Sequence, residues 1–516
     1  MRVLTNDQMK TVEQRAADNG LEFIRLMENA GSACARIINE QIPNKCKSSQ
    51  NITVVSGSGK NGGDGFVIAR KLCEAGCKVN IILADGFSKD MDSIEMFDKL
   101  KSLSINIIQY DFDKLNAVEM IRNSEIIIDS VFGTGFRDCP NEEISFLFGL
   151  INSCSAKVFS VDIPSGVICN TGEIPGENVN ADVTIAISSL KPAHVLVPGS
   201  ISCGKLIVAD IGISESCYEG MDEGVFYTYF ESEVKLKMPC INPIAHKGNF
   251  GHVLSICGSK NMQGAAVIAA KGATCSGTGL VTAAFPDCAY PAIGSKLTEQ
   301  LLLPLNSNKL GTFSVSAIQK ILDAAKKADV VLIGCGIGVN SDTIEILREV
   351  VSTVTCPIII DADGINALST DINMLKKANN SVIITPHPGE MAKLTGLSIS
   401  QIQSQRLVVG RDCANKLGVT VVLKGANTVV AEPQKDSVYV NSTGNPGMAT
   451  GGSGDLLAGI ISSFVAQGIQ AGDAAKAAVF IHGYVGDYTA ERLSKRGLTP
   501  SACLEDLPII MARFES

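Results

Sequence analysis

Residues 51–76 read NITVVSGSGKNGGDGFVIARKLCEAG, a β-branched run, a glycine-rich turn and a helical stretch in direct succession. The apolar positions of ITVVS are continuous, not alternating, which marks a strand buried on both faces and hence a largely parallel sheet covered by helices. A glycine-rich strand-to-helix turn aims backbone N–H groups and the positive helix end at an anion. Gly57, Gly59 and Gly62 satisfy G-x-G-x-x-G, and Asp85 closes the next run. A Rossmann dinucleotide turn is therefore one reading, and a purely structural glycine turn is the other. Asn61 and Asp64 weigh toward a ligand, because a bare turn requires neither. A Walker A loop is excluded, since Gly59-Lys60 is followed by Asn61 and not by Ser or Thr.

The same rhythm extends outward. Thr5-Asn6-Asp7-Gln8 fits a capping box that opens a helix to about Asn19, and a second helix carries LMENAGSACARII (26–38). Downstream, VNIILAD (79–85), INIIQY (105–110), EIIIDSVFG (125–133), KVFSVDIPSG (157–166), VTIAIS (183–188) and LIVADIGI (206–213) are strand candidates between helical stretches. The rhythm breaks over 214–248, a polar, proline-containing stretch without helical period. It resumes with GHVLSICGS (251–259), GLVTAAFP (279–286), VVLIGCGIG (330–338), PIIIDADG (357–364), SVIITPHPGE (381–390) and TVVLKGANTVV (420–430), and ends in long helices from Asp455. The expectation is two different α/β domains, residues 1–220 and 228–516.

Composition narrows the function. The chain has 516 residues, 45% hydrophobic and 19% charged, which is globular, and its formal net charge is −9 with no block of like charges. An acidic chain without a basic stripe argues against nucleic acid and anionic membrane as partners, so any phosphate must be held by backbone N–H groups and a few placed cations. Its 17 cysteines include no C-x-x-C pair and no zinc spacing, and several, such as Cys257 and Cys335, sit in apolar runs. They read as buried reduced thiols of a cytoplasmic protein. The start MRVLTNDQMK lacks the apolar stretch of a signal peptide, and the most apolar segment, 264–285, is cut by Lys271 and several glycines, so no membrane span is expected.

Two further loops of the first half leave strand ends, where open α/β sheets bind ligands. One carries Asp129 with Gly133-Thr134-Gly135 behind it, and the other carries Asp162 and Ser165. A single strand-end Asp often only caps the next helix. Together, Asn61, Asp129 and Ser165 offer hard oxygen ligands suited to an alkali or alkaline-earth cation, leaving Asp162 as an acid/base candidate.

In the second half, GNPGMATGGSGDLLAG (444–459) precedes a helix whose apolar face is Leu456, Leu457, Ile460, Ile461, Phe464 and Val465, placing its N-terminus near Gly454. Glycines there expose N–H groups to a transferring phosphoryl group. Asp455 in the first turn can take the proton from an attacking hydroxyl, or can merely complement the helix dipole. LKGANTVV (423–430) offers Lys424 and a glycine turn for phosphate, against a solvated hairpin lysine. TPHPGE (385–390) fixes His387 and Glu390 at a strand end between prolines, as a site or as a turn brace.

The first-half motifs LMENAG (26–31), GKNGGDG (59–65), DSVFGTG (129–135), VDIPSG (161–166) and KPAH (191–194) together resemble the NAD(P)H-hydrate epimerase family over about residues 1–215. The resemblance implies a Rossmann-like domain that epimerises the R and S 6-hydroxylated forms of NADH and NADPH. It implies substrate contacts from Lys60, Asn61, Gly62, Gly63 and Asp64, from Gly133, Thr134, Gly135, Phe136, Arg137, Asp138 and Cys139, and from Asp162, which serves at the reacting ring. Asn61, Asp129 and Ser165 would hold K⁺. Lys60 departs from a family pattern that has a second Asn there. The second half, through KGNFGHVL, GSKNMQGAA, DADGINAL, TPHPGEMAKL, LKGANTVV and NPGMATGGSGDLLAG, resembles the ribokinase-like fold and, within it, the ADP/ATP-dependent NAD(P)H-hydrate dehydratases, over about 228–512.

That resemblance implies phosphorylation of the hydrate's hydroxyl by ADP with Mg²⁺, then loss of phosphate to restore NAD(P)H. Ala265, Gly338, His387 and Asp455 would contact the hydrate, with Asp455 catalytic. Lys424, Gly425, Ala426, Asn427, Thr428 and Gly454 would contact the nucleotide. Cys335 replaces the usual Pro of its turn, and Ser453 the usual Thr of the anion loop. The expected partners are the hydrates and ADP, and a homo-oligomer is expected. Two alternatives compete: a ribokinase-like small-molecule (vitamin) kinase fused to a non-catalytic binding domain, and a first domain serving as an interaction scaffold.

Overall fold

The computed structural model describes residues 1–42, 50–221, 226–241 and 243–515. The chain divides into two compact units, Met1–Phe226 and Tyr227–Ser516.

In the first unit α1 (Asn6–Asp18) starts on a complete Thr5/Gln8 capping box and is followed by α2 (Phe23–Glu40). Next come β1 (Asn51–Ser56), α3 (Lys60–Glu74), β2 (Lys78–Leu83), β3 (Asn106–Gln109), β4 (Ile126–Ser130), β5 (Lys157–Val161), β6 (Val183–Ile187) and β7 (Lys205–Ala209). The strands order β3-β2-β1-β4-β5-β6-β7, and every pair is parallel. Successive residues feed opposite faces, and both faces are apolar. Val54, Ile81 and Ile128 pack with Ile38, Phe66 and Leu72. Val55, Ile82 and Ile127 pack with Leu147, Phe148 and Ile151. Each such burial contributes roughly 1.5–3 kcal/mol, which is why these strands read as unbroken apolar runs. The order reverses between β1 and β4, which opens a crevice at their carboxyl ends, as in Rossmann-like sheets.

The glycine-rich segment differs from its sequence reading. Helix α3 begins at Lys60, so residues 60–65 are its first turns and not a loop. Glycine is a poor helix former, but here close approach requires it. A Cβ on Gly62 would lie 1.8 Å from the Gly57 carbonyl oxygen, one on Gly65 2.2 Å from Ser130 Oγ, and one on Gly57 2.1 Å from the Val131 carbonyl oxygen. These contacts clamp α3 between the ends of β1 and β4.

The second unit contains β8 (His252–Ile256), α4 (Gln263–Cys275), β9 (Leu280–Pro286), β10 (Leu301–Leu305), β11 (Val330–Ile333), β12 (Ile358–Ile360) and β13 (Val382–Ile384). It continues with α5 (Pro388–Thr395), β14 (Thr420–Leu423), β15 (Val429–Ala431), β16 (Val438–Val440), α6 (Ser453–Ala466), α7 (Ala471–Arg492) and α8 (Pro500–Phe514). These strands order β16-β15-β14-β13-β12-β11-β8-β9-β10. Only the β14–β15 and β15–β16 pairs among them are antiparallel. The order reverses between β8 and β11. Helix α6 packs on α4 through small residues, since a Cβ on Gly459 would lie 2.3 Å from the Ala269 carbonyl oxygen. Its Ile460, Ile461 and Phe464 join Val253, Leu332 and Ile359 of the sheet in one core with α7 and α8.

Four described strands escape the sequence reading, two of them, Arg2–Val3 and Phe226–Tyr227, only two residues long. LLLPL (β10) carries Pro304 and sits at the sheet edge, where a missing N–H is tolerated. VYV (β16) is only three residues long. The stretch 214–248 holds a short helix, Glu231–Lys235, and 3₁₀ turns at Glu215–Tyr218 and Lys247–Phe250. Among the described residues no helix is long and apolar enough to cross a membrane. The described cysteines carry no disulfide; Cys257 and Cys335 are buried, whereas Cys139, Cys240 and Cys288 are exposed.

Candidate active sites

At the reversal of the first sheet, Asp129 ends β4 and is completely buried. Its Oδ2 accepts from Ser160 Oγ at 2.7 Å and from the Ser165 N–H at 2.9 Å, and its Oδ1 accepts from Ser165 Oγ and from the Val131 N–H at 3.3 Å. Burial pushes this carboxyl up, opposed by hydrogen bonds that all come from neutral donors. Asn61, in the first turn of α3, donates Nδ2 to the carbonyls of Phe132 at 2.9 Å and Val161 at 3.3 Å. Ser165 Oγ lies 3.3 Å from the same Phe132 oxygen. Asn61, Asp129 and Ser165 are thus drawn into one oxygen-rich knot.

Asp162 follows β5 in the left-handed region at φ 65°, a conformation Asp tolerates better than most residues and one often found at functional sites. Its Oδ1 accepts from the Ile187 N–H at 3.1 Å and from Lys191 Nζ at 2.5 Å. Lys191 is 1% exposed and also donates to the Ile187 carbonyl at 2.7 Å. His194 locks the arrangement: its Nδ1 accepts from the Lys191 N–H at 2.9 Å and its Nε2 reaches the Asp162 carbonyl at 2.6 Å, which fixes the Nε2–H tautomer. Burial and the Lys191 charge hold this imidazole neutral, its pKa lowered to about 4. Facing the pair are Glu13 of α1 and Asp64 of α3. Burial raises Glu13, and burial with the charges of Asp162 and Glu13 raises Asp64 well above the ordinary range; Lys191 and Lys60 oppose both.

The remaining positions divide. Lys60 is exposed, with its ammonium 4.8 Å above the Phe23 ring. Gly62 and Gly63 are buried against Gly57 and Met27 and serve packing. In the loop after β4, Phe136 stacks on Phe132 at 4.7 Å, and Arg137 folds back on the carbonyls of Thr134 and Phe136. The Asn6 amide, oriented to suit its neighbours, bridges Thr134 Oγ1 at 3.1 Å and Arg137 at 2.7 Å. Gly133 abuts Asn61, and Gly135, Asp138 and Cys139 are exposed. Asp85 is spent on the glycine turn, accepting from the Ser58 N–H at 2.6 Å and Oγ at 2.8 Å. Lys191, His194 and Glu13 were missed as site residues; for the first two the signal was KPAH, a few residues after the buried strand β6.

In the second unit, Asp361 leaves β12 fully buried. Its Oδ1 accepts from Lys424 Nζ at 2.6 Å and Thr385 Oγ1 at 2.5 Å, and its Oδ2 faces Cys335 Sγ at 3.5 Å. Burial acts to raise this carboxyl, but Lys424, Thr385 and Cys335 overcome it and hold it below the usual range. Asp455, in the first turn of α6, forms no ion pair among the described residues. Burial and the Asp361 charge push it up to about 6, against the Cys335 thiol and Lys424. Gly454 brings the helix start to Lys424, since a Cβ there would lie 3.1 Å from Nζ. Behind it Ser453 Oγ lies 3.3 Å from Nε2 of buried His482.

The glycines of GCGIG permit close approach. A Cβ on Gly334 would lie 2.0 Å from the Asp361 carbonyl oxygen, and one on Gly336 would lie 2.9 Å from Ala265 Cβ. The Gly338 N–H donates to Asp363 Oδ2 at 2.9 Å. His387 caps α5, accepting on Nδ1 from the Gly389 N–H at 2.9 Å, while Glu390 accepts from the His387 N–H at 2.8 Å. Its side chain stays 55% exposed, so the brace and an available ring coexist. Burial raises Glu390 to about 7 and, with Lys424, lowers His387. In the 424–428 turn, Arg406 donates to the carbonyls of Leu423 at 2.8 Å and Lys424 at 3.2 Å and packs on Gly425. Asn427 takes φ 53° and donates to the Asn441 carbonyl at 3.2 Å, Thr428 Oγ1 donates to the Gly425 carbonyl at 3.0 Å, and Ala426 is exposed. Asp361 and Arg406 had no assigned role in the sequence reading, whereas Glu390 was named there beside His387.

Two α/β units, each with a glycine-bounded helix start and buried titratable groups at a strand-order reversal, define an enzyme built around nucleotide-sized ligands. A family model described as NAD(P)H-hydrate dehydratase matches residues 253–508, and one described as YjeF-related protein N-terminus matches residues 24–193. The bifunctional NAD(P)H-hydrate repair enzyme Nnr of Moorella thermoacetica is 32% identical over 526 residues, covering 100% of this chain and 97% of that protein. That of Escherichia coli K12 is 32% identical over 495 residues, covering 95% and 90%. A solved ADP/ATP-dependent NAD(P)H-hydrate dehydratase from Bacillus subtilis, co-crystallised with ATP and Mg²⁺, is 28% identical and covers 56% of this chain and 98% of its own, with a TM-score of 0.48. The chain belongs to the bifunctional NAD(P)H-hydrate repair enzyme family. It is an isomerase and lyase that epimerises and dehydrates hydrated NADH and NADPH; the vitamin-kinase alternative falls away.

Proposed function

We propose that the first unit interconverts the R and S hydrates at Asp162 and that the second dehydrates the S form with ADP, releasing AMP and phosphate, with Asp455 as general base. The observation that carries this reading is the division of carboxylates at the second reversal. Asp361 is tied to Lys424 at 2.6 Å, while Asp455 stands beside the helix start with its carboxyl raised to about 6. A base of that strength takes the proton of the hydrate's hydroxyl as it attacks the β-phosphoryl group. Departure of phosphate, with loss of a proton from the adjacent ring carbon to solvent, then restores the nicotinamide double bond. Lys424 and the N–H groups around Gly454 stabilise charge on the transferring group, and the turn 425–428 receives the nucleotide. Mg²⁺ bound with the nucleotide would neutralise part of the phosphate charge beside Lys424 and the Gly454 helix start. Ala265, Gly338 and His387 border the space for the hydrate.

In the first unit, the ring carbon bearing the hydroxyl is placed against Asp162, with Lys60, Asn61, Asp64 and the 133–139 loop around the substrate. Lys191 fixes the Asp162 carboxylate and His194 fixes its backbone. The donors at Asn61, Asp129, Ser165 and the Phe132 carbonyl are hard oxygens, and Asp129 is a buried carboxylate with neutral hydrogen-bond donors, a set that suits K⁺. K⁺ there would supply positive charge beneath the substrate.

The test is recovery of reduced-nicotinamide absorbance from mixed-epimer hydrate. With ADP both epimers are consumed and AMP and phosphate appear in equal amounts. A phosphorylated product that accumulates without returning NAD(P)H would sink the reading, and faster recovery with ATP would replace the co-substrate.

A further inference from the structure

The geometry points to a binding role beyond the repair reaction for residues at the dehydration site: we propose that Cys335, Asp361 and Asp455 bind a thiophilic divalent ion, Zn²⁺ or Cd²⁺, which shuts off dehydration. Ligand atoms of these three residues all lie within 4.8 Å of one another. They come from three elements: Cys335 from the turn after β11, Asp361 from the end of the adjoining strand β12, and Asp455 from the first turn of α6. Cys335 and Asp361 are buried, so the cluster is not a chance grouping of surface acids. Lys424 and Thr385 both engage Oδ1 of Asp361, whereas Cys335 faces Oδ2. An ion can therefore take Oδ2 and leave the Asp361–Lys424 pair intact.

The charges close. Binding breaks the Cys335 S–H bond, forms a sulfur–metal bond and releases one proton to solvent. Three anionic ligands, the Lys424 ammonium and a divalent ion then sum to a neutral buried group. Sulfur sets the selectivity: K⁺ and Mg²⁺ prefer all-oxygen shells, while Zn²⁺ and Cd²⁺ accept a mixed thiolate–carboxylate set. Three protein ligands leave a fourth tetrahedral position for water. An ion held there occupies the carboxylate that the proposed base needs, so dehydration stops while epimerisation in the first unit continues. The inhibitory consequence rests on the reading of Asp455 as base; the binding does not.

The experiment titrates the full chain with Cd²⁺, without nucleotide, and follows the ultraviolet sulfur-to-metal charge-transfer band against Cys335→Ala and Cys335→Ser. The other cysteines, among them the exposed Cys139, Cys240 and Cys288, are common to all three proteins and cancel in the difference. Wild type should show one extra equivalent in the band. Zn²⁺ should inhibit its dehydration at concentrations at least about tenfold lower than for either variant, each rate being taken relative to its own metal-free value. Asp455→Asn, which keeps the thiol, should weaken the extra binding by a similar factor. Equal bands and equal sensitivity in wild type and both Cys335 variants overturn the proposal. An extra equivalent that binds without slowing dehydration leaves the site standing and removes Asp455 as the base.

Discussion

Replacing Asp455 by Asn should make the protein more stable and nearly inactive at once. The side chain is held near a helix start, largely out of water and close to the Asp361 carboxylate, so its carboxyl rises from 3.8 to about 6. At about 1.4 kcal/mol per unit, keeping it ionised in the folded state costs about 3 kcal/mol. The sign follows from linkage: with the folded value above the unfolded one, folding takes up a proton between them. The penalty is absent well below pH 3.8, grows as the pH rises through the window from 3.8 to about 6, and is complete above it. Asn is isosteric and uncharged, so it should gain about 1–3 kcal/mol at about pH 7.5 and roughly half as much at about pH 5. For a unit of this size the gain is a rise of several degrees in Tm. The assay is denaturant unfolding of the full chain at several pH values, with the second unit's transition followed separately. Dehydration should fall by about 10²–10⁴ and epimerisation should not change. An Asn variant no more stable than wild type near neutrality, or with a pH-independent gain, refutes the burial argument. Retention of more than about a tenth of the dehydration rate refutes the base assignment.

Lys191→Met strands the Asp162 carboxylate in a buried site and should destabilise the first unit by about 3–5 kcal/mol. Asp162→Asn with Lys191→Met should cost clearly less than the sum of the single changes, and a double-mutant cycle in Tm with equal, additive losses would show that the pair is not coupled. Asp129→Ala should abolish the dependence of epimerisation on K⁺, checked by exchanging K⁺ for a large organic cation; a persisting dependence would place the ion elsewhere. Gly459→Ala should cost about 1–3 kcal/mol or more by driving a methyl into the Ala269 carbonyl, whereas Gly451→Ala, with open space around it, should cost little, as read by thermal unfolding.

How much of this was legible depends on how local each signal was. The strands could be read because they are buried on both faces, so Val54 and Val55 are both apolar although they point in opposite directions. The start of α3 could not be read. Gly62, Gly63 and Gly65 argue against helix by propensity, and only their contacts with Gly57, Met27 and Ser130 show why a helix begins there. Pro304 hid β10 because edge position is a property of the sheet, not of the strand. Asp129, Asp162 and Asp455 stood out as acids at strand or helix ends. Lys191 did not, because a lysine before a proline resembles a solvated turn until its 2.5 Å contact with Asp162 is seen. Asp361 was visible in DADG, but its partner Lys424 lies 63 residues away, and no local pattern joins them.

That distant pairing separates the acids of the second unit. Asp361, Asp455 and Glu390 are all carboxylates near the carboxyl ends of β12 and β13, and their type alone cannot rank them as bases. Their partners can. Asp361 meets a buried ammonium and is held below the ordinary carboxylate range, too weak a base to accept a proton readily near neutrality. Glu390 rises to about 7 but spends an oxygen on the N–H of the residue it caps. Asp455 lies between them: raised to about 6, ionised at neutral pH, and adjacent to the helix N–H groups that would carry the phosphoryl charge. Moving the ammonium from Asp361 to Asp455 would exchange the roles of the two acids without changing either residue. The Lys424–Asp361 pair therefore does more than secure the turn. On the proposed assignment it makes one acid a fixed counter-charge and leaves the other free to act as the base.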